Sequence, residues 1–139
     1  MRLVLDTNVL VAALMKDSFT RAVLLLPEFE FLLPEHALEE VHRHQAKILR
    51  HARLQPLDLD LLLNLLLQSI TVVPRDRIMP HLKAAEALIG AIDPNDVPFV
   101  ALALAEENHG IWSNDQALHQ LPGIKCWTTA DIKQYLRQR

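Results

Sequence analysis

The chain has 139 residues, 50% hydrophobic and 22% charged, with a formal net charge of -3. That length can bury a core of its own and reads as one domain spanning residues 1–139; the composition excludes a disordered chain, and the mild acidity excludes a strongly basic nucleic-acid-coating protein. A single cysteine, Cys126, excludes an internal disulfide and a cysteine metal cluster, and fits a reducing, cytoplasmic setting.

Arg2 to Leu5 reads as a first, central strand, ending abruptly in Asp6-Thr7-Asn8. The apolar run resumes over Asn8 to Ala13, so a strand-to-helix turn is expected between them. Phe19 to Leu26 reads as a short helix capped by Asp17 or Ser18. Phe29 to Leu33 reads as a second strand, and Pro34 as the first turn of one long helix running to about Ala52. Asp58 to Leu67 is a leucine-rich helix. Asp58, Asp60 and Asn64 interrupt it, so it is too short and too polar for a membrane span. No signal peptide is visible, since only three apolar residues separate Met1-Arg2 from Asp6.

Ile70 to Val73 is β-branched and reads as a strand, and Pro80 to Ile89 as a helix. Asp93-Pro94-Asn95-Asp96 opens a helix to about Glu107, with Val97, Val100, Ala101, Leu104 and Ala105 as the stripe packed on the sheet and Gly110 as its end. Ile111-Trp112 is the next strand, Asp115 to Leu121 a short helix, and Lys125 to Trp127 the last strand; Thr129 is the expected cap of the terminal helix. Strand and helix alternate without a hairpin signal. That predicts an α/β fold with a central, mostly parallel sheet covered on both faces.

Such sheets bind ligands past the carboxyl ends of their strands. Asp6 and Asp115 each follow an apolar strand, and Asp96 lies at a helix N-terminus. Singly, each reads as a turn or cap residue, Asp93 is a better cap than ligand, and Glu40 reads as a solvated helical acid. Jointly, several carboxylates at one sheet edge make an oxygen-only site for a hard divalent cation.

The segments Leu3-Val4-Leu5-Asp6-Thr7-Asn8-Val9-Leu10, Asp93 to Ala103, and Ile111-Trp112-Ser113-Asn114-Asp115 together resemble the PIN domain family, over essentially the whole chain. The likeness is closest to the bacterial and archaeal branch described as toxin components of toxin–antitoxin pairs. It implies a three-layer α/β/α fold and a ribonuclease dependent on Mg²⁺ or Mn²⁺. The family's four acids fall on Asp6, Glu40, Asp96 and Asp115, with Glu39 able to replace Glu40 after a small shift of alignment. Thr7, Asn8, Ser113 and Asn114 fall on supporting positions, and His119 where some relatives carry a further polar or acidic residue. The implied partners are single-stranded or structured RNA, an antitoxin protein and a second copy of the chain, with no membrane.

Arg43, Lys47 and Arg50 recur along one side of the expected long helix. They read either as a solvated face or as an RNA-binding rim, which Arg75, Arg77 and Lys83 could extend. The leucines between Leu57 and Leu67 exceed what a small sheet can cover, which favours a homodimer. A PIN-like RNA-binding or assembly module with little catalysis is the alternative function.

Overall fold

The computed structural model describes residues 1–15 and 18–139. Its five strands are β1 (Arg2–Leu5), β2 (Glu30–Pro34), β3 (Ile70–Val73), β4 (Ile111–Trp112) and β5 (Cys126–Trp127). They form one sheet in the order β3-β2-β1-β4-β5, and every neighbouring pair is parallel. Leu3, Val4 and Leu5 of β1 are fully buried, as the central strand of a sheet covered on both faces must be.

Helices α1 (Thr7–Leu14) and α2 (Phe19–Leu24) link β1 to β2, and α3 (Glu35–Arg43), α4 (Gln45–Ala52) and α5 (Pro56–Leu67) link β2 to β3. The chain then crosses back through α6 (Arg75–Ile78), a 3₁₀ turn, α7 (Leu82–Ala85), a π turn over Glu86–Gly90, a second 3₁₀ turn over Pro94–Asp96, and α8 (Val97–Ala105). Helix α9 (Gln116–His119) follows β4, and α10 (Thr129–Gln138) follows β5. Both steps from β1 through β2 to β3 move one way along the sheet, and the steps to β4 and β5 move the other way. Because parallel crossovers are right-handed, reversal of direction puts the two helix sets on opposite faces. The result is the expected three-layer α/β/α architecture. The reversal falls between β1 and β4, and that is where the crevice for a ligand opens.

Several local expectations need correction. The long helix is interrupted at His44 (φ -100°, ψ 15°), although backbone bonds from His44 N to Glu40 O (3.1 Å) and from Ile48 N to His44 O (3.0 Å) carry across the break. Pro34 closes β2 and precedes α3 rather than lying within it. The segment expected to be helical over Pro80 to Ile89 is helical throughout, but it changes winding from a 3₁₀ turn at Met79–His81 through α7 to a π turn ending at Gly90. Helix α8 is buried on more than one side, since it packs on β1 and β2 and also against α6 and α7. Phe99 and Leu102 therefore join Val97, Val100 and Ala101 in the core, while Leu104 in the last turn is 38% exposed. Gly110 does not end α8, which stops at Ala105. Its φ of 131° opens β4, where a Cβ would collide with the Lys125 carbonyl.

Ser18 caps α2 by accepting from Arg21 N at 3.3 Å; the alternative cap, Asp17, lies outside the described residues. The cap of α10 is Thr128, which forms a reciprocal capping box with Asp131. Thr129 Oγ1 instead accepts from Trp112 Nε1 at 3.2 Å and Asn114 Nδ2 at 3.1 Å. Among the described residues, no helix is long and apolar enough to cross a membrane.

Candidate metal centre

Asp6 follows β1 directly, and its backbone N–H donates to Trp112 O of β4 at 3.2 Å, so the ends of the two strands are joined. The Asp6 side chain is 5% exposed. Its Oδ2 accepts from Ser113 Oγ at 2.7 Å, and the same Oγ accepts from Asp115 N at 3.0 Å. One hydroxyl thus ties the acid after β1 to the acid after β4. Burial raises the Asp6 pKa, the Ser113 hydrogen bond and the Asn8 and Thr7 amides oppose that rise, and the Asp115 charge adds to it.

Asp96 ends the 3₁₀ turn that leads into α8 and is 4% exposed. Its Oδ2 is buried with no hydrogen-bond partner. Burial, the adjoining Asp115 carboxylate and the charges of Asp93 and Asp6 push its pKa up to about 8. Asp115 caps α9 by accepting from Ala117 N at 3.0 Å, and Asp93 accepts from Asn95 N at 3.0 Å. Oxygens of Asp93, Asp96 and Asp115 all lie within 4.8 Å of one another.

Asp93 is the member that sequence reasoning set aside. It does cap its turn, but a 3₁₀ turn also brings residues three apart onto one side, so Asp93 and Asp96 share the crevice. The spacing Asp93-x-x-Asp96 was the signal that could have found it.

Glu40 faces the site from α3. Its Oε1 accepts from Thr7 Oγ1 at 3.1 Å, and burial and the Asp6 charge raise its pKa while the Thr7 bond lowers it. Glu39 faces away. It pairs with Arg75, whose backbone N–H also donates to Glu35 Oε2 at 2.9 Å and whose Nη1 donates to His36 Nε2 at 3.2 Å. The geometry therefore brings Glu40, and not Glu39, beside Asp6. Asp6 and Glu40 adjoin the Asp93–Asp96–Asp115 group through Ser113 and Thr7 rather than lying within its 4.8 Å circle.

The supporting residues divide. Thr7 and Ser113 touch the acids. Asn8 is exposed and lines a groove beside Glu40. Asn114 is directed elsewhere, exchanging two hydrogen bonds with Thr129 that dock the start of α10. His119, at the position where some relatives carry a further polar or acidic residue, donates from Nε2 to the Ser113 carbonyl at 2.7 Å and so steadies the loop carrying Ser113.

The basic residues do not form one stripe. Arg43 lines a cavity between α3 and the Pro94–Pro98 segment, and Lys47 lines another between α1 and α4. Arg50 lines neither, because it is exposed on a different side of α4 from His44, Lys47 and His51. Arg75 and Arg77 are committed to ion pairs with Glu39 and Glu106, which removes them from a free cationic rim.

The donor set is entirely oxygen, it crowds three carboxylates, and one buried oxygen lacks any partner. These features fit a hard divalent cation of the Mg²⁺ or Mn²⁺ kind, which would relieve the mutual repulsion.

Comparison with known proteins agrees with this architecture. No curated protein matches the chain. Among solved structures, the chain is similar to one described as VapBC2 from Rickettsia felis bound to a DNA fragment from their promoter. The TM-score is 0.70 at 16% identity, and the match covers 92% of this chain and 98% of that one. A PIN domain family model matches residues 4–137, and the chain belongs to the PIN domain family.

Proposed function

We propose that this chain is a single nuclease domain, a divalent-metal-dependent endoribonuclease that acts as the toxin component of a toxin–antitoxin pair. The observation that carries the reading is the convergence of Asp6, Glu40, Asp93, Asp96 and Asp115 at the sheet's switch point, with Asp96 Oδ2 left unpartnered. Family membership supports nuclease chemistry. The antitoxin partner is carried over from the fold likeness to the VapBC2 complex.

In this reading Asp96, Asp115 and Asp93 hold Mg²⁺ or Mn²⁺, and Asp6 completes the set from β1. When bound, a divalent cation supplies Lewis acidity, acidifying water and neutralising phosphate charge. Glu40, held by Thr7, orients the attacking water and takes up its proton. The water oxygen bonds to phosphorus, the bond to the 3′-oxygen breaks, and that oxygen takes a proton from solvent, to which Glu40 later returns the one it accepted. The products are 5′-phosphate and 3′-hydroxyl ends, with no role for the 2′-hydroxyl as nucleophile. Ser113 and His119 keep Asp6 and Asp115 in register throughout.

Labelled single-stranded RNA incubated with Mg²⁺ or Mn²⁺ tests this, with EDTA and Asp6→Asn as controls. Cleavage that needs the cation and Asp6 is the expected result. Undiminished cleavage after exhaustive metal removal overturns the mechanism. Binding of RNA without any turnover, under every metal condition, returns the chain to the alternative of an RNA-binding module.

A further inference from the structure

Two cavities flank Glu40, and both are lined by Glu40 and His44. One, of about 250 Å³, is polar and runs under α3 toward Asn95. The other, of about 290 Å³, runs between α1 and α4 and has a different character. Its floor is apolar, made by Val11, Met15 and Ile48, and its wall carries His44, Lys47 and His51. At its inner end stand Thr7 and Glu40. The three wall residues fall at i, i+3 and i+7, so α4 presents them along one side. The interruption at His44 begins α4 there and sets this face over α1, leaving Arg43 in the other cavity.

The wall is also poised chemically. His51 Nδ1 donates to the Lys47 carbonyl at 2.9 Å, which fixes the ring and leaves Nε2 for another partner. Among the described residues, Lys47 has no carboxylate within ion-pair distance. An apolar floor, flat imidazole rings and the Lys47 ammonium, ending at Glu40 on the near side of the acid cluster, suit a planar base with a phosphate beside it. A base paired in a duplex cannot leave its stack to enter such a slot without losing its partner.

We infer that the groove between α1 and α4 is a nucleobase subsite, taking one unstacked base of single-stranded RNA next to the scissile phosphate. His44 and His51 face the base, and Lys47 holds its phosphate. This rests on the nuclease reading for the location of the scissile bond, but base capture by the groove can be measured without turnover.

The test is binding of a fluorescent single-stranded RNA oligonucleotide and of a blunt RNA duplex, both in EDTA, by the full chain and three variants. Val11→Phe fills the slot, while His51→Ala and Lys47→Ala alter only exposed wall residues. Circular dichroism and Mn²⁺ titration verify that the fold and acid cluster persist in each. We expect Val11→Phe and His51→Ala each to weaken single-strand binding by about tenfold, the scale of one base contact, with duplex binding unchanged. Lys47→Ala should lower the dependence of log affinity on log salt by about 0.7, the value of one phosphate contact on a single strand. If the wall variants and Val11→Phe all bind single strands as the parent does, the groove is not a base subsite, even where RNA cleavage is intact. If binding is lost as expected while the parent cleaves nothing with Mn²⁺, the subsite stands and the nuclease reading falls. Val11→Phe with the parent's single-strand affinity would likewise overturn the subsite.

Discussion

Ser113 and Asp6, 107 residues apart in sequence, meet through a buried 2.7 Å hydrogen bond at the point where the sheet reverses direction. Ser113 Oγ gives its single proton to Asp6 and accepts from Asp115 N, so one hydroxyl bonds to both acids. The residue fixes the spacing of the two strand ends on which the candidate centre depends.

Ser113→Ala should leave the Asp6 oxygen buried and short of a partner, destabilising the fold by about 1–3 kcal/mol. Asp6 would become harder to ionise, since the largest of the groups opposing its raised pKa is gone. Mn²⁺ affinity should fall by about tenfold to a hundredfold, as for other residues that orient metal ligands. Urea unfolding and calorimetric Mn²⁺ titration read the two effects separately.

The metal-free protein should lose stability as pH rises. Asp96 has a folded pKa of about 8 against an ordinary 3.8, so between those values the folded state binds more protons than the unfolded one. Its contribution is fully present below about 3.8 and is lost as pH rises through about 8. Burial raises the Asp6 and Glu40 pKa values too, with the same sign. Relative to the parent in EDTA, Asp96→Asn should therefore gain more than about 1.4 kcal/mol between pH 4 and pH 8, the value of one pKa unit. Added Mn²⁺ should stabilise the parent, and more so at pH 8 than at pH 5. A parent and variant with identical pH profiles in EDTA would remove the crowding of charge on which this rests.

Glu39 and Glu40 should separate cleanly. Glu40→Gln loses a group that meets Thr7 beside Asp6, and RNA cleavage should drop by about tenfold to a hundredfold or more. Glu39→Gln loses only an exposed pairing with Arg75, and cleavage should stay close to that of the parent. The reverse ranking would mean that α3 is rotated in solution.

Helix α5 should mediate self-association. Leu59, Leu63 and Leu66 turn inward, while Leu57, Leu61 and Leu65 are 66%, 60% and 49% exposed at positions four apart. An apolar stripe on one helix face favours a second copy of the chain as its cover. Sedimentation at micromolar concentration should give a dimer, and Leu61→Lys a monomer. A parent that sediments as a monomer throughout that range would leave the stripe without this role.

The sequence disclosed the strands most readily. Apolar runs such as Leu3-Val4-Leu5 and Ile111-Trp112 stop at polar residues, and burial on both faces leaves no other reading for so short a run. Asp6 and Asp115 were legible for the same reason, since each follows a strand and a parallel sheet carries its strand ends to one edge, whereas Asp96 was marked by its place at the start of a helix. Less could be seen where tertiary contacts decide. No proline or glycine lies between Glu35 and Ala52, so nothing local announces the break at His44 that sends Arg43 and Lys47 into different cavities. The cap of α10 went to Thr128 because Asp131 can return its hydrogen bond, while Thr129 was claimed by Trp112 and Asn114 from across the sheet edge. Leu104 fits the helical period of the α8 core stripe yet points outward, because the last turn of that helix passes beyond its neighbours.

The most direct measurement is an anomalous difference map from crystals of the full chain soaked in Mn²⁺. A peak ligated by oxygens of Asp96 and Asp115, with Asp93 and Asp6 adjoining, is the expected result, and it should vanish in Asp96→Asn. Saturating Mn²⁺ with no peak in this crevice, or a peak held only by other residues, would contradict the claim that these carboxylates are gathered for a cation.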